Sequence, residues 1–226
     1  MEKILENKHE VLRYLGYRNQ LIDKLTNDLI EESINEMRGL IRPRYIYKFF
    51  NIKRREEEIY LSNSNFNLVG ESIKKHLSKS EECILIAVTL GNGVDTKIRY
   101  YEKISMAKAL ILDACATVAI EEVCDKVCEE LKEKMQSENK TLTLRYSPGY
   151  GDLPIDIQKS FLTILDTGNT IGLTASSHNI LIPRKSVTAI VGVVEKDEKN
   201  MGKHHCLECN KYENCIFRKE DDKCGN

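Results

Sequence analysis

The sequence predicts an α+β fold. Helical and strand-like segments are mixed without the regular alternation of a βαβ protein. One long helix near the middle is apolar almost all round over its first half, so it runs through an interior. The late stretch SVTAIVGVV is dense in β-branched residues, which suits a strand.

Each element follows from its local pattern. ENKHEVLRYLGY predicts a short helix closed at Gly16, a residue suited to a left-handed cap. In LIDKLTNDLIEESINEMRGLIRP, Leu21, Leu25, Leu29, Ile30, Ile34 and Met37 recur at helical spacing, and Gly39 with Pro43 stops the helix. RYIYKFFNIKRREEEIYL predicts a hairpin. Tyr45, Tyr47 and Phe49 alternate along one arm, Ile59 and Leu61 lie in the other, and RREEE is a solvated turn. GESIKKHLSKS is a short amphipathic helix, and CILIAVTL is a continuous apolar run suited to a buried strand. GNGVDTKIRYYEKIS turns into a helix. Ser105 is the expected N-cap of the long helix, about 105–136, whose second half is amphipathic and meets solvent. TLTLRY is an alternating strand, IDIQKSFLTILDT a helix, and IGLTASS and NILIP precede the β-branched strand.

Composition bounds the function. The chain has 226 residues, 41% hydrophobic and 31% charged, which suits one large domain with a small appendage. Composition shifts near Glu195, so the expected division is 1–195 for the main domain and 196–226 for a cysteine-rich tail. A net charge of −1 with no basic stripe argues against nucleic acid. No apolar run reaches the roughly 18 residues of a membrane helix. The start, MEKILENKHE, lacks the apolar segment of a secretory signal, and the expected location is cytoplasmic. In that compartment the eight cysteines are expected to be thiols or metal ligands rather than disulfides.

Three constellations carry chemistry. The first is RYSPGYGDLP, residues 145–154. Pro148 restricts its own backbone and that of Ser147, while Gly149 and Gly151 permit left-handed angles and close approach to a ligand. Tyr150 sits between the two glycines, and Arg145 offers a planar fork for a carboxylate or phosphate. The loop suits either a wall for an anionic or zwitterionic small molecule, or a tight turn with Arg145 paired to a local acid. The second is the acidic stripe Asp113, Thr117 and Glu121, spaced four apart on the buried helix. It can hold an ammonium or a ribose diol, or pair with a neighbouring Arg or Lys. Cys115, Cys124 and Cys128 on this helix are small core residues. The third is the tail HHCLECNKYENCIFRKEDDKC. Cys206 and Cys209 form a CxxC knuckle, followed by Cys215 and Cys224, with His204 and His205 beside them. Four such thiols suit zinc or an iron-sulfur cluster, or remain redox-active thiols. His178 is expected to be structural, and Lys103 and Lys108 carry no sign of Schiff-base work. GxSxG, P-loop and GxGxxG motifs are absent.

Taken together, RYSPGYGDLP, MAKALILDACATVAIEEVCD and IGLTASSHNILIPRKSVTAIVGV resemble the activation domain of cobalamin-dependent methionine synthase. RYLGY near the start, and CxxC-x5-C followed by FR near the end, are similar to stand-alone bacterial members of that family. The resemblance covers nearly the whole chain. Its most specific part is the R-x-x-x-G-Y of Arg145, Gly149 and Tyr150. It implies helices packed around a twisted antiparallel sheet, with the cysteine-rich stretch as an appendage. It implies S-adenosylmethionine as ligand, its carboxylate held by Arg145, with backbone and ring contacts from Ser147, Gly149 and Tyr150 and a helix acid at Glu121. The implied role is reductive methylation of an oxidised cobalamin, with an electron from a flavodoxin-like reductant. No cobalamin-binding DxHxxG is present, so the corrinoid arrives on a partner, methionine synthase or another corrinoid protein. Other readings are a corrinoid-protein scaffold with a vestigial pocket, and a metal-cluster electron-transfer module. Two departures from the family stand out. The acidic linker and cysteine tail replace its late aromatic region, and Gly151-Asp152 replaces other small residues.

Overall fold

The computed structural model describes residues 4–18, 20–55 and 58–196. Its centre is a six-stranded antiparallel sheet of β1 (Arg44–Arg55), β2 (Glu58–Leu61), β3 (Asn67–Val69), β4 (Glu82–Thr89), β5 (Lys140–Leu142) and β8 (Ser186–Glu195). The spatial order is β3-β2-β1-β4-β8-β5. β6 (Thr174–Ala175) and β7 (Leu181–Ile182) form a separate two-stranded ribbon. The predicted hairpin is present as β1 and β2, with Ile52 opposite Leu61.

β4 explains why its sequence is apolar without alternation. It lies between β1 and β8, with Ile86 opposite both Tyr47 and Ala189, and both of its faces are covered. Ile84, Ile86 and Val88 enter one core. Cys83, Leu85 and Ala87 enter the other.

The first core lies under four helices: α1 (Lys8–Tyr14), α2 (Lys24–Leu40), α4 (Asn92–Ile104) and α5 (Met106–Gln136). α5 is the long helix of the sequence. Ser105 caps it by accepting a hydrogen bond from the Lys108 amide. Leu112, Cys115, Ala116 and Ala119 in the first half of α5 are buried, as its apolar surface requires, although Met106 and Leu110 at its start are exposed. The second core lies under α3 (Glu71–His76) and α6 (Gln158–Leu165), with the short α7 (Thr167–Thr170) after it. Phe161 is fully buried and meets Phe66 edge to face, with centroids 6.1 Å apart. Burying such a ring is worth roughly 3 kcal/mol. Gln158 and Thr188 exchange buried hydrogen bonds that fix α6 on β8.

The structure corrects three local expectations. Leu21 and Leu25 are exposed: Leu21 precedes α2, which starts only at Lys24 behind the Asp23 cap, and Leu25 sits in its first turn, ahead of the buried Ile30, Ser33, Ile34 and Met37. Gly39 lies within α2, which ends when Ile41 turns extended. β5 stops at Leu142, so Arg145 lies beyond the regular strand, next to an isolated bridge between Tyr146 and Ile190. β3 and α7 had no sequence signal. No described helix is long and apolar enough to cross a membrane.

Candidate functional site

The site is built where α5 and the segment after β5 meet. The α5 positions 113, 117, 121 and 125 are four apart, so they form one stripe along the helix. Two cations land on that stripe. Lys185, just before β8, contacts Asp113 Oδ1 at 2.9 Å and donates to Thr117 Oγ1 at 2.8 Å. Arg145 donates through Nη2 to Glu121 Oε2 at 2.7 Å, and its Nη1 lies 3.1 Å from Asp125 Oδ1.

Arg145 and Glu121, predicted as site residues from separate motifs, therefore meet. In this structure their charges face each other, which is the local ion pair that the sequence left open. Burial works against the Arg145 cation, but the Glu121 and Asp125 carboxylates beside it help to outweigh burial. Its Nη1 is buried and has no aligned hydrogen-bond partner, despite the nearby Asp125 carboxylate. A buried guanidinium donor without an aligned acceptor is costly, which sets this nitrogen apart from the Nη2 bonded to Glu121.

The loop itself is rigid. Gly149 N–H donates to the Leu153 carbonyl at 2.9 Å, Tyr150 N–H to Ser147 at 3.0 Å and Leu153 N–H to Tyr150 at 3.0 Å. The Gly149 and Tyr150 amides are thus spent within the loop. Tyr150 is 47% exposed, and its ring lies edge-on to Tyr146, with centroids 6.1 Å apart. Tyr146 also packs on His76, 5.0 Å between centroids, and belongs to the second core. Adjacent residues of an extended chain point to opposite faces. Arg145 accordingly turns to α5, while Tyr146 turns to α3.

Asp152 and Gly151 have structural reasons to be there. Asp152 accepts from the Glu71 amide at 2.6 Å and the Ser72 amide at 3.0 Å, capping α3 from across the sequence. Burial raises its pKa, but the Ser72 and Glu71 amides outweigh that and hold the carboxyl below its ordinary range. Gly151 has φ +53°, and a Cβ there would collide with the Tyr146 hydroxyl and lie 2.8 Å from Ser72 Oγ. Gly151→Ala is expected to lower unfolding stability by about 1–2 kcal/mol. A urea titration by circular dichroism measures it; an unchanged midpoint would show that the loop yields without strain.

The stripe has further neighbours. Burial pushes the Tyr14 phenol up, Arg13 opposes that shift, and Glu121 adds to it. Glu122 accepts from the Leu5 amide at 2.7 Å, and burial holds its carboxyl above the usual range. Burial also pushes the Cys124 and Cys128 thiols up, consistent with packing rather than nucleophilic roles. Cys83 and Cys115 are buried thiols pushed up to about 12. Among the described residues no group of three or more His, Cys, Asp or Glu can hold a metal ion. Cys206, Cys209, Cys215 and Cys224 lie outside the described residues. His178 is exposed in the β6–β7 turn, where Ser177 lies within hydrogen-bond distance. A cleft of about 320 Å³ is lined by Lys159, Asp166, Thr167 and Thr174, and none of the predicted site residues borders it.

One solved structure is described as the MetH reactivation domain bound to AdoHcy, and it superposes with a TM-score of 0.64. The fold is that of the MetH reactivation domain. The alignment spans 88% of this chain and 78% of that one, at 13% identity. No protein-family model and no curated protein matched the chain. The predicted class, helices packed on an antiparallel sheet, agrees with this MetH-like fold.

Sequence reasoning missed Asp125 and Lys185 as parts of this surface. Asp125 was legible as the next member of the four-residue stripe. Lys185 was not, because only the return of β8 beside β4 carries it to α5.

Proposed function

We propose that this chain binds S-adenosylmethionine at the α5 stripe and supports reductive methylation of a corrinoid held by a separate protein. The observation that carries this reading is Arg145: a charged, largely buried fork at the mouth of a rigid loop, with one nitrogen lacking an aligned acceptor. The MetH-like fold supports it, since that neighbour is described with AdoHcy, the demethylated form of the ligand.

In this reading Arg145 holds the methionine carboxylate and Glu121 the ammonium. Guanidinium pairs with carboxylate, and carboxylate with ammonium, so one zwitterion satisfies both. Tyr150, half-exposed on a backbone fixed by its own hydrogen bonds, offers its ring face to the sulfonium. Gly149 contributes shape rather than an amide donor, because its N–H is already bonded. When bound, the ligand supplies the methyl group, and a flavodoxin-like reductant supplies the electron that an oxidised corrinoid requires. The chain's own residues bind and orient. Tyr150, Ile155 and Ile180 are exposed, and the Asn179–Asp156 hydrogen bond ties the β6–β7 turn to the start of α6. Tyr150, Ile155 and Ile180 would offer apolar surface to the partner.

Calorimetric titration with S-adenosylmethionine tests the reading, alone and with a corrinoid protein added. The expected result is saturable binding at one site per chain. Absence of heat in both arrangements would sink it.

A further inference from the structure

Resting on that reading of the site, we infer that Asp125 is a resident carboxylate that occupies the ligand's place on Arg145 and must leave when the ligand's carboxylate arrives. The two acids on Arg145 are not equivalent. Glu121 is hydrogen-bonded to Nη2 at 2.7 Å, and its side chain is 30% exposed. Asp125 is 72% exposed and sits 3.1 Å from Nη1, which nevertheless has no aligned hydrogen bond. Asp125 therefore covers this nitrogen without satisfying it.

Geometry gives the reason. Glu121 and Asp125 are one helical turn apart on the same stripe, so both approach the guanidinium from α5. With Glu121 already aligned on Nη2, Asp125 reaches Nη1 from the same helix without the alignment a hydrogen bond needs. A free carboxylate is not tethered there, and it makes the aligned bond that Asp125 does not. Since Asp125 is mostly in water, releasing it costs little, and it rehydrates where it stands. Glu121 stays, to meet the ligand's ammonium. Asp125 is thus a positioning residue. It keeps the fork aimed and charged when empty, and it selects for ligands whose own carboxylate displaces it.

The test is calorimetric titration of the full chain with two probes, S-adenosylmethionine and its decarboxylated analogue. Asp125→Asn is expected to tighten S-adenosylmethionine about two- to fivefold, the range an exposed ion pair commands. It is expected to leave affinity for the decarboxylated analogue unchanged. Asp125→Glu, which restores the charge, is expected to return the affinity toward that of the unmutated protein. Equal S-adenosylmethionine affinity for the Asn variant and the unmutated protein overturns this inference while leaving the reading of the site intact. So does an equal gain for both probes, which would mark a general loosening. Absence of binding by every protein removes the reading of the site, and this inference with it.

Discussion

The Arg145→Ala protein is expected to bind S-adenosylmethionine about 10- to 100-fold more weakly than the unmutated protein while remaining folded. Hydrogen bonds from a charged donor contribute about 1.5–3 kcal/mol each, and each 1.4 kcal/mol is tenfold in affinity. Removing the fork also removes the cation facing Glu121 and Asp125. Both acids retain contact with water, so the loss of folding stability is expected to stay near 1 kcal/mol. Arg145→Lys separates charge from geometry. Lysine keeps the charge but cannot make two parallel bonds, so its affinity is expected to fall between the other two. Glu121→Gln is expected to weaken binding as well, because the ammonium loses its partner. Calorimetry reads all three. Unchanged affinity in Arg145→Ala would place the ligand elsewhere on the fold.

Lys108→Ala is expected to be the most destabilising change at a charged residue, at about 2–3 kcal/mol. Lys108 enters the structure between three groups. It bonds Glu32 at 2.6 Å and Glu36 at 2.9 Å, and lies 4.6 Å from the centroid of the Tyr101 ring. Its side chain is 9% exposed, so these contacts tie α2 to the α4–α5 corner with little screening. Breaking a buried pair costs about 3–5 kcal/mol. The figure is reduced here because Glu32 is 65% exposed, and Lys97 still pairs Glu36 at 2.9 Å. Lys108→Met keeps the aliphatic stem and is expected to recover about a third of the loss.

The pH dependence of this cluster has a definite sign. Burial raises the Glu36 pKa, but the Lys97 and Lys108 bonds outweigh it and hold the carboxyl below its ordinary range. Its stabilisation is therefore present above the ordinary carboxylate pKa and is lost as pH falls through the lowered folded value. For Lys108, burial disfavours the charge, and the bonds to Glu32, Glu36 and Tyr101 more than reverse that. Its share is present below the ordinary lysine pKa and is lost as pH rises past the raised folded value. The difference between unmutated and Lys108→Ala proteins is expected to be largest across neutral pH and to shrink in acid. Urea titrations at pH 7 and pH 4 measure it, and a gap that grows in acid would refute the assignment.

These residues differ in how legible they were. Lys108 carried no sign of its role, since its partners are 72 and 76 residues away in sequence. A lysine on an apolar helix only acquires meaning when α2 crosses it. Arg145 and Glu121 were both visible, one in a stiff loop and one on an acidic stripe. That they meet was not visible, because 24 residues separate them and β5 must first pair with β8. Gly151-Asp152 has a local explanation in α3. Asp152 caps that helix, and Gly151 leaves room for Tyr146 and Ser72.

The sequence by itself determined the class and most of the elements, though not β3 or α7. β4 follows from an unbroken apolar run, α5 from an all-round apolar first half with a serine cap, and β8 from its β-branched residues. These signals are local, arising from side-chain burial and backbone preference within a few turns. Only the tertiary structure decided which charges face each other. It put Lys185 on Asp113, Arg145 between Glu121 and Asp125, and Lys108 between Glu32 and Glu36. The reason is physical. A buried charge takes whichever partner the packing of distant elements brings within about 3 Å, and no local pattern encodes that meeting.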